Sequence, residues 1–187
     1  MSEAYRTDWK EELIDGRPVA MAPASVGHTF ASNNILNIFM NYLKGKKCVP
    51  FGEGPLVYLT EKDHFVPDVM IVCDHNKIKP NGIDGAPDLV VEVLSPSTMR
   101  YDKTYKKDIY AKSGVKEYWL VNPSDKSIEV YRGVNNVFTI HDVYTIIPDW
   151  MLSNMPQSEQ RAAEASFKCS LFEDLEISLN EVFSDWH

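Results

Sequence analysis

Three carboxylates and a lysine stand at spacings that suit metal-assisted chemistry. Asp68 follows Pro67 at the head of an apolar run that continues Val69-Met-Ile-Val72. Glu92 lies inside a second run, Leu89-Val-Val-Glu-Val-Leu94, with Asp88 just before it. A carboxylate within a buried strand is costly unless a metal, a cation or hydrogen bonds meet it. Side chains alternate along a strand, so Asp88, Val90, Glu92 and Leu94 share one face. If the two strands are neighbours, Asp68 and Glu92 can approach one cation. Two carboxylates, a backbone carbonyl and several waters are the usual surroundings of Mg2+. Without a cation or a lysine nearby, such carboxylates repel and one takes up a proton.

The counter-charge comes from the basic segment that follows. Lys106 and Tyr110 are four residues apart and share a helix face. Asp102 and Lys106 are also four apart, so a surface ion pair worth only about 0.3–0.5 kcal/mol is the plain alternative for that lysine. His28 falls in the first turn of an earlier helix. It is either a capping or packing histidine, or a phosphate or water contact beside the site. Other chemistries lack support: there is no nucleophile elbow, phosphate loop or glycine-rich dinucleotide fingerprint. His28, His64, His75, His141 and His187 show no close metal-ligand spacing.

These side chains need elements to position them. Asp15-Gly16 is a two-residue turn signal, so residues 11–22 read as a hairpin. Ser25 is a plausible N-cap for a helix over 27–43, whose Ile35, Leu36, Phe39 and Leu43 follow the helical period. Residues 47–60 read as extended chain broken by Gly52-Glu-Gly-Pro55, and 65–73 as the strand carrying Asp68. Residues 74–87 read as a loop, because Pro80, Asn81, Gly82, Gly85 and Pro87 punctuate them. The nearly continuous apolar strand 88–95 suits burial on both faces. A helix over 101–113 closed by Gly114 and an apolar strand over 115–121 complete a βαβ unit with parallel strands. Residues 127–132 and 137–143 read as a hairpin with Gly133 in its turn region. The polar stretch 151–166 reads as an exposed or mobile insert, and 171–183 as an acidic amphipathic tail that docks back on the sheet.

Composition bounds the rest. A chain of 187 residues, 44% hydrophobic and 25% charged, suits one soluble globular domain, with a core over about residues 11–143 and an acidic extension over 149–187. The polar start resembles no signal peptide, and no apolar run approaches the roughly 20 residues that span a bilayer. Cys48, Cys73 and Cys169 are odd in number and widely spaced. They suggest neither a zinc pattern nor a disulfide framework, which makes a reducing cytoplasm the expected compartment. The net charge of −8 argues against a general nucleic-acid binder. The charge is uneven, however: residues 100–116 carry six cations against two anions, and 149–187 carry two against eight. A polyanionic substrate stays possible beside a plain solvated helix face.

Taken together, these strings resemble a known family: Val66-Pro-Asp-Val-Met-Ile-Val72, Gly85-Ala-Pro-Asp-Leu-Val-Val-Glu-Val-Leu-Ser-Pro-Ser97, Asp102, Lys106 and Tyr110, and Gly114-Val-Lys-Glu-Tyr-Trp-Leu-Val-Asn-Pro123. They look like the "putative restriction endonuclease" domain family, formerly a domain of unknown function, within the PD-(D/E)XK nuclease superfamily. Glu12-Leu-Ile-Asp-Gly16 and the Ser25-x2-His28 helix start fit the same pattern. The resemblance implies an α/β (α+β) restriction-endonuclease-like core, a mixed sheet of about four strands flanked by helices. An N-terminal β-hairpin and a C-terminal β-hairpin extend it. It implies catalytic roles for Asp68, Glu92 and Lys106, with Asp88, His28 and Tyr110 supporting. Mg2+ or Mn2+ would sit on Asp68, Glu92 and the Val93 backbone carbonyl, and Arg100, Lys103 and Lys107 would contact nucleic-acid phosphates. The expected activity is phosphodiester hydrolysis of DNA, and the expected assembly a homodimer. The sequence departs from the superfamily pattern at Leu94, where a lysine is usual. Two alternatives therefore stand beside the nuclease: an inactive nuclease-fold binding or regulatory module, and a structural domain in which Lys106 simply neutralises Glu92.

Overall fold

The computed structural model describes residues 11–156 and 165–184. Residues 157–164, half of the expected insert over 151–166, and the last three residues of the acidic extension lie outside the described residues. Among the described residues no helix is long and apolar enough to cross a membrane.

Two six-stranded sheets make the frame. One holds β3 (Val49–Gly52), β6 (Val69–Val72), β9 (Leu89–Val93), β10 (Glu117–Asn122), β11 (Ser127–Val134) and β12 (Val137–Thr145). Their order is β12-β11-β10-β9-β6-β3. Within this sheet only β9 and β10 pair in parallel, joined by a helical segment over 99–113, as the βαβ pattern predicts. The sheet is thus mixed, but with six strands instead of about four. β9 is buried at every position, which explains its unbroken apolar run.

The second sheet holds β1 (Glu11–Ile14), β2 (Arg17–Ala20), β4 (Val57–Tyr58), β5 (His64–Phe65), β7 (Ile78–Lys79) and β8 (Gly82–Asp84), in the order β2-β1-β5-β4-β8-β7. Sequence patterning missed its far edge. Residues 74–87 hold a short hairpin, β7–β8, because two- and three-residue strands are too short to show a period. The expected strand 65–73 is divided as well. Its chain leaves the second sheet after β5, passes Pro67 and enters the first as β6. Proline cannot donate to a strand ladder, so the crossover falls there, and Asp68 sits on it.

Each face of the larger sheet has its own apolar layer. On one face Val69, Leu89, Val91, Trp119 and Val121 pack against Ile35 and Phe39 of helix α1 (Val26–Leu43). Ser25 caps α1, its hydroxyl accepting the His28 N–H at 3.2 Å. Phe167, Ile177, Leu179, Val182 and Phe183 join the same layer, so the C-terminal tail docks on the sheet as expected. On the other face Met70, Val72, Val90, Leu94, Tyr118 and Leu120 pack against Tyr110 and against Ile14, Val57, Phe65 and Ile83 of the second sheet.

Two further expectations change. Cys48 and Cys73 form a disulfide. They are 25 residues apart in sequence, but the antiparallel register Val49↔Val72 brings them opposite each other. Cys169 is free and buried. The β11–β12 hairpin turns at Asn135-Asn136, whose φ values are +52° and +62°, a left-handed pair that asparagine tolerates well. Gly133 lies in β11 for another reason: a Cβ there would stand 2.5 Å from the Val115 carbonyl oxygen.

Candidate active site

β6 and β9 are neighbours and antiparallel, with Val69 opposite Val91 and Met70 opposite Val90. Continuing that register by one residue sets Asp68 opposite Glu92. Directly opposed residues point to the same side of a sheet. The two carboxylates therefore share the face that carries Met70 and Val90. Asp68 Oδ2 accepts the Val93 N–H at 2.7 Å, which ties the crossover to the end of β9.

The helical segment supplies the cation. Its α-helical turns, Met99–Tyr101 and Lys107–Ser113, flank a π turn over Asp102–Lys106. In an α-helix each i,i+4 step overshoots a full turn by about 40°, so two steps drift by about 80°. The wider π turn winds less per residue and cancels that drift. Asp102, Lys106 and Tyr110 consequently all face inward, and all three are buried. Lys106 Nζ lies 2.7 Å from Glu92 Oε1, 3.0 Å from Glu12 Oε1 and 3.4 Å from Asp102 Oδ1. The last is proximity only, since Asp102 Oδ1 makes no hydrogen bond. The Tyr110 hydroxyl donates to Glu92 Oε1 at 2.9 Å. The position usually held by lysine is Leu94, which packs in the apolar layer, and Lys106 reaches Glu92 from the helix instead.

Sequence reasoning left Glu12 unassigned. It is buried beside Ile14 on β1, and its Oε1 also accepts the Val66 N–H at 2.8 Å. The strand period was the available signal, since Glu12 shares the face of the buried Ile14. Asp102 is no surface partner but 2% exposed, because the π turn rotates it inward.

His28 Nε2 lies 3.3 Å from Asp68 Oδ2, and its Nδ1 is buried without a hydrogen bond among the described residues. Four buried carboxylates, Glu12, Asp68, Glu92 and Asp102, thus line the cleft with one ammonium and one imidazole, and the exposed Glu53 is a fifth carboxylate on the same lining. Burial raises the Glu92 pKa well above its usual range. Lys106 opposes that, while Asp102, Asp68 and Glu12 add to it. Burial also raises the Asp102 carboxyl, against the pull of Lys106. Burial disfavours the Lys106 ammonium, but Glu92, Glu12 and Asp102 overcome it and push its pKa well up. Burial likewise disfavours the His28 imidazolium, and the Asp68 hydrogen bond and charge reverse the sign to a net rise. A cluster with this surplus of negative charge takes up cations, as protons or as a metal.

Among the described residues no three His, Cys, Asp or Glu side chains stand together as a metal cluster. Mg2+ does not require one. It keeps several waters and takes one or two carboxylates with other oxygens. Asp68, Glu92 and Val93 all line one cleft, and their oxygens are of the hard type that Mg2+ takes.

The other expected residues are placed elsewhere. Asp88 does not reach the site. It stands four residues before Glu92, roughly 13 Å along the strand at about 3.3 Å per residue. There it accepts from Lys116 Nζ and from the Cys73 N–H, each at 2.7 Å. Lys103 pairs with Glu129 at 2.6 Å, and Lys107 lies over the Tyr131 ring at 4.7 Å. Arg100 is exposed on the helix start. None of these three cations lines the cleft, whereas their neighbour Tyr101 does.

Comparison with known proteins adds a lineage. Residues 2–164 match the family profile described as "Uma2: Putative restriction endonuclease". Protein slr1290 of Synechocystis is 29% identical over 153 residues, which span 81% of this chain and 75% of that protein. A second Synechocystis protein, sll1609, is 27% identical over 131 residues, spanning 68% and 74%. A crystal structure described as "a putative nuclease belonging to DUF820" from Anabaena variabilis superposes with a TM-score of 0.71 at 19% identity. That superposition covers 95% of this chain and 91% of the other. At that identity the likeness establishes the fold.

Proposed function

Because the chain belongs to the Uma2 family, we propose that it is a metal-dependent nuclease that hydrolyses phosphodiester bonds of DNA. The observation that carries this reading is the position of Lys106: an ammonium 2.7 Å from Glu92, delivered by the helix in place of the missing strand lysine. Asp68, Glu92 and the Val93 carbonyl would hold the cation. When bound, it supplies a more acidic water and charge neutralisation at the scissile phosphate. Lys106 orients the attacking water and offsets negative charge as phosphorus gains one oxygen and releases another. Glu12 restrains the lysine through a hydrogen bond, the nearby Asp102 adds negative charge, and Tyr110 restrains Glu92. His28 holds Asp68 in place through Oδ2.

The test is cleavage of labelled DNA by purified protein with Mg2+ or Mn2+. Removing one group that stabilises developing charge lowers rates by about 10²–10³-fold, so Lys106→Ala should lose at least that much activity. Glu92→Gln should abolish both cleavage and Mn2+ affinity measured by calorimetry. A second reading has an observation of its own: Lys106 already meets Glu92, Glu12 and Asp102, as a purely structural ion cluster would. Absence of both metal binding and cleavage of any nucleic acid would favour that structural reading.

A further inference from the structure

The acidic centre lies at the bottom of a cleft of about 380 Å³. Its charged groups are nearly closed off, with Asp68 8%, Glu92 3% and Lys106 3% exposed. One wall is apolar and comes from the β1–β2 hairpin and the chain just after it: Ile14, Val19, Met21 and Pro23. The chain leading into the helix contributes Ser95, Thr98 and Tyr101 to the same lining. Tyr101 is 41% exposed, so an aromatic ring is open to solvent on the cleft lining.

We propose that this cleft admits one unstacked nucleotide of a single polynucleotide strand, its base lying between the apolar wall and Tyr101, and that intact duplex is not the direct substrate. The proposal rests on the nuclease reading of the same site and goes further by naming the form of substrate. Size argues for it first. Pockets for small ligands span about 300–1,000 Å³, and this one stands at the low end, with room for one nucleotide unit. Depth argues for it next. A phosphate within a duplex is tied to a base that is paired and stacked behind it. Such a phosphate cannot descend to groups that are almost wholly buried. Enzymes that act inside a pocket take the nucleotide out of the stack or use a strand already single.

Charge argues in the same direction. Duplex binding relies on many lysines and arginines that displace condensed counterions. This chain has a net charge of −8, and Lys103 and Lys107 are engaged by Glu129 and Tyr131. Single strands are held to a larger degree by stacking on aromatic rings, which Tyr101 offers.

The experiment measures fluorescence anisotropy of a labelled DNA oligonucleotide, single-stranded and as its blunt duplex, in Ca2+ buffer, and then cleavage of both in Mn2+. The single strand should bind at least tenfold tighter. Tyr101→Ala, at an exposed site, should keep the circular dichroism spectrum and weaken single-strand binding about 5- to 100-fold, while Tyr101→Phe retains it. Equal or tighter duplex binding, or no effect of Tyr101→Ala, overturns the proposal. Cleavage of duplex with the single strand spared leaves the nuclease reading standing and overturns this one. Tyr101-dependent, single-strand-selective binding without any cleavage supports strand entry and overturns the nuclease reading. Neither binding nor cleavage overturns both.

Discussion

Among the described residues Lys106 has the most ion-pair partners, with Glu92, Glu12 and Asp102 within 3.4 Å of its ammonium. Breaking a buried ion cluster by removing one partner leaves uncompensated charge and costs about 3–5 kcal/mol. Lys106→Met should therefore lower stability by that order in urea denaturation, and adding Glu92→Gln should recover part of the loss. Recovery in the double variant is the signature of charge pairing, since simple loss of packing would not be reversed. Asp88 makes a separate prediction. Burial works against its charge, but hydrogen bonds from Lys116 and the Cys73 N–H hold its carboxyl below the ordinary range. A carboxyl depressed in the folded state adds stability above its unfolded pKa, about 4, and that stability is lost as pH falls through the depressed value. The urea midpoint of Asp88→Asn should accordingly depend less on pH below about 4 than that of the parent.

At the scale of elements, the site depends on how strands and turns meet. β6 joins the sheet between β9 and the edge strand β3, and the Cys48–Cys73 disulfide fastens that edge. Closing a loop of this length restrains the unfolded chain by about 3 kcal/mol in the chain-entropy account. Reduction, or Cys48→Ser with Cys73→Ser, should lower the unfolding free energy measured in urea by a comparable amount while Lys106 and Glu92 remain paired. Gly133 sets another junction. Its N–H donates to the Lys116 carbonyl at 2.8 Å, and any Cβ would collide with the Val115 oxygen. Gly133→Ala should cost about 1–3 kcal/mol, measured as a lower melting temperature, because backbone has to move. The π turn serves the site among these elements: it keeps Asp102, Lys106 and Tyr110 in line, where an α-helix would set Asp102 and Tyr110 about 80° apart.

For the molecule as a whole, the balance of charge sets how nucleic acid is engaged. A surface of net charge −8, with two of the three candidate phosphate contacts tied to protein partners, releases few counterions. Each phosphate neutralised on a single strand adds about 0.7 to the salt slope. The plot of log binding constant against log salt should therefore have a slope of roughly −1 to −2, far shallower than for a duplex-binding repressor. A steep slope measured by titration at several salt concentrations would instead point to the basic segment over 100–116 as a phosphate-binding face.

Much of this was legible in the residues. The run of β9, the N-cap at Ser25 and the β9–helix–β10 unit follow from local period and capping, which act over a few neighbours and leave a mark in sequence. Glu92 announced itself because a charge in an apolar strand needs a partner. The family strings then linked Asp68, Glu92, Lys106 and Tyr110, which the fold does gather. What local pattern could not carry was anything set by register or by helix phase. The Cys48–Cys73 pair depends on the alignment of β3 with β6. Glu12 reaches Lys106 only because the second sheet lies over the first, and Asp102 turns inward only through the π turn. Asp88 shows the converse, since sharing a strand face with Glu92 said nothing of the distance along it. Sequence set which groups needed partners, because burial of charge is costly wherever it occurs. Tertiary structure alone chose those partners, because distance between strands and helices is fixed by packing.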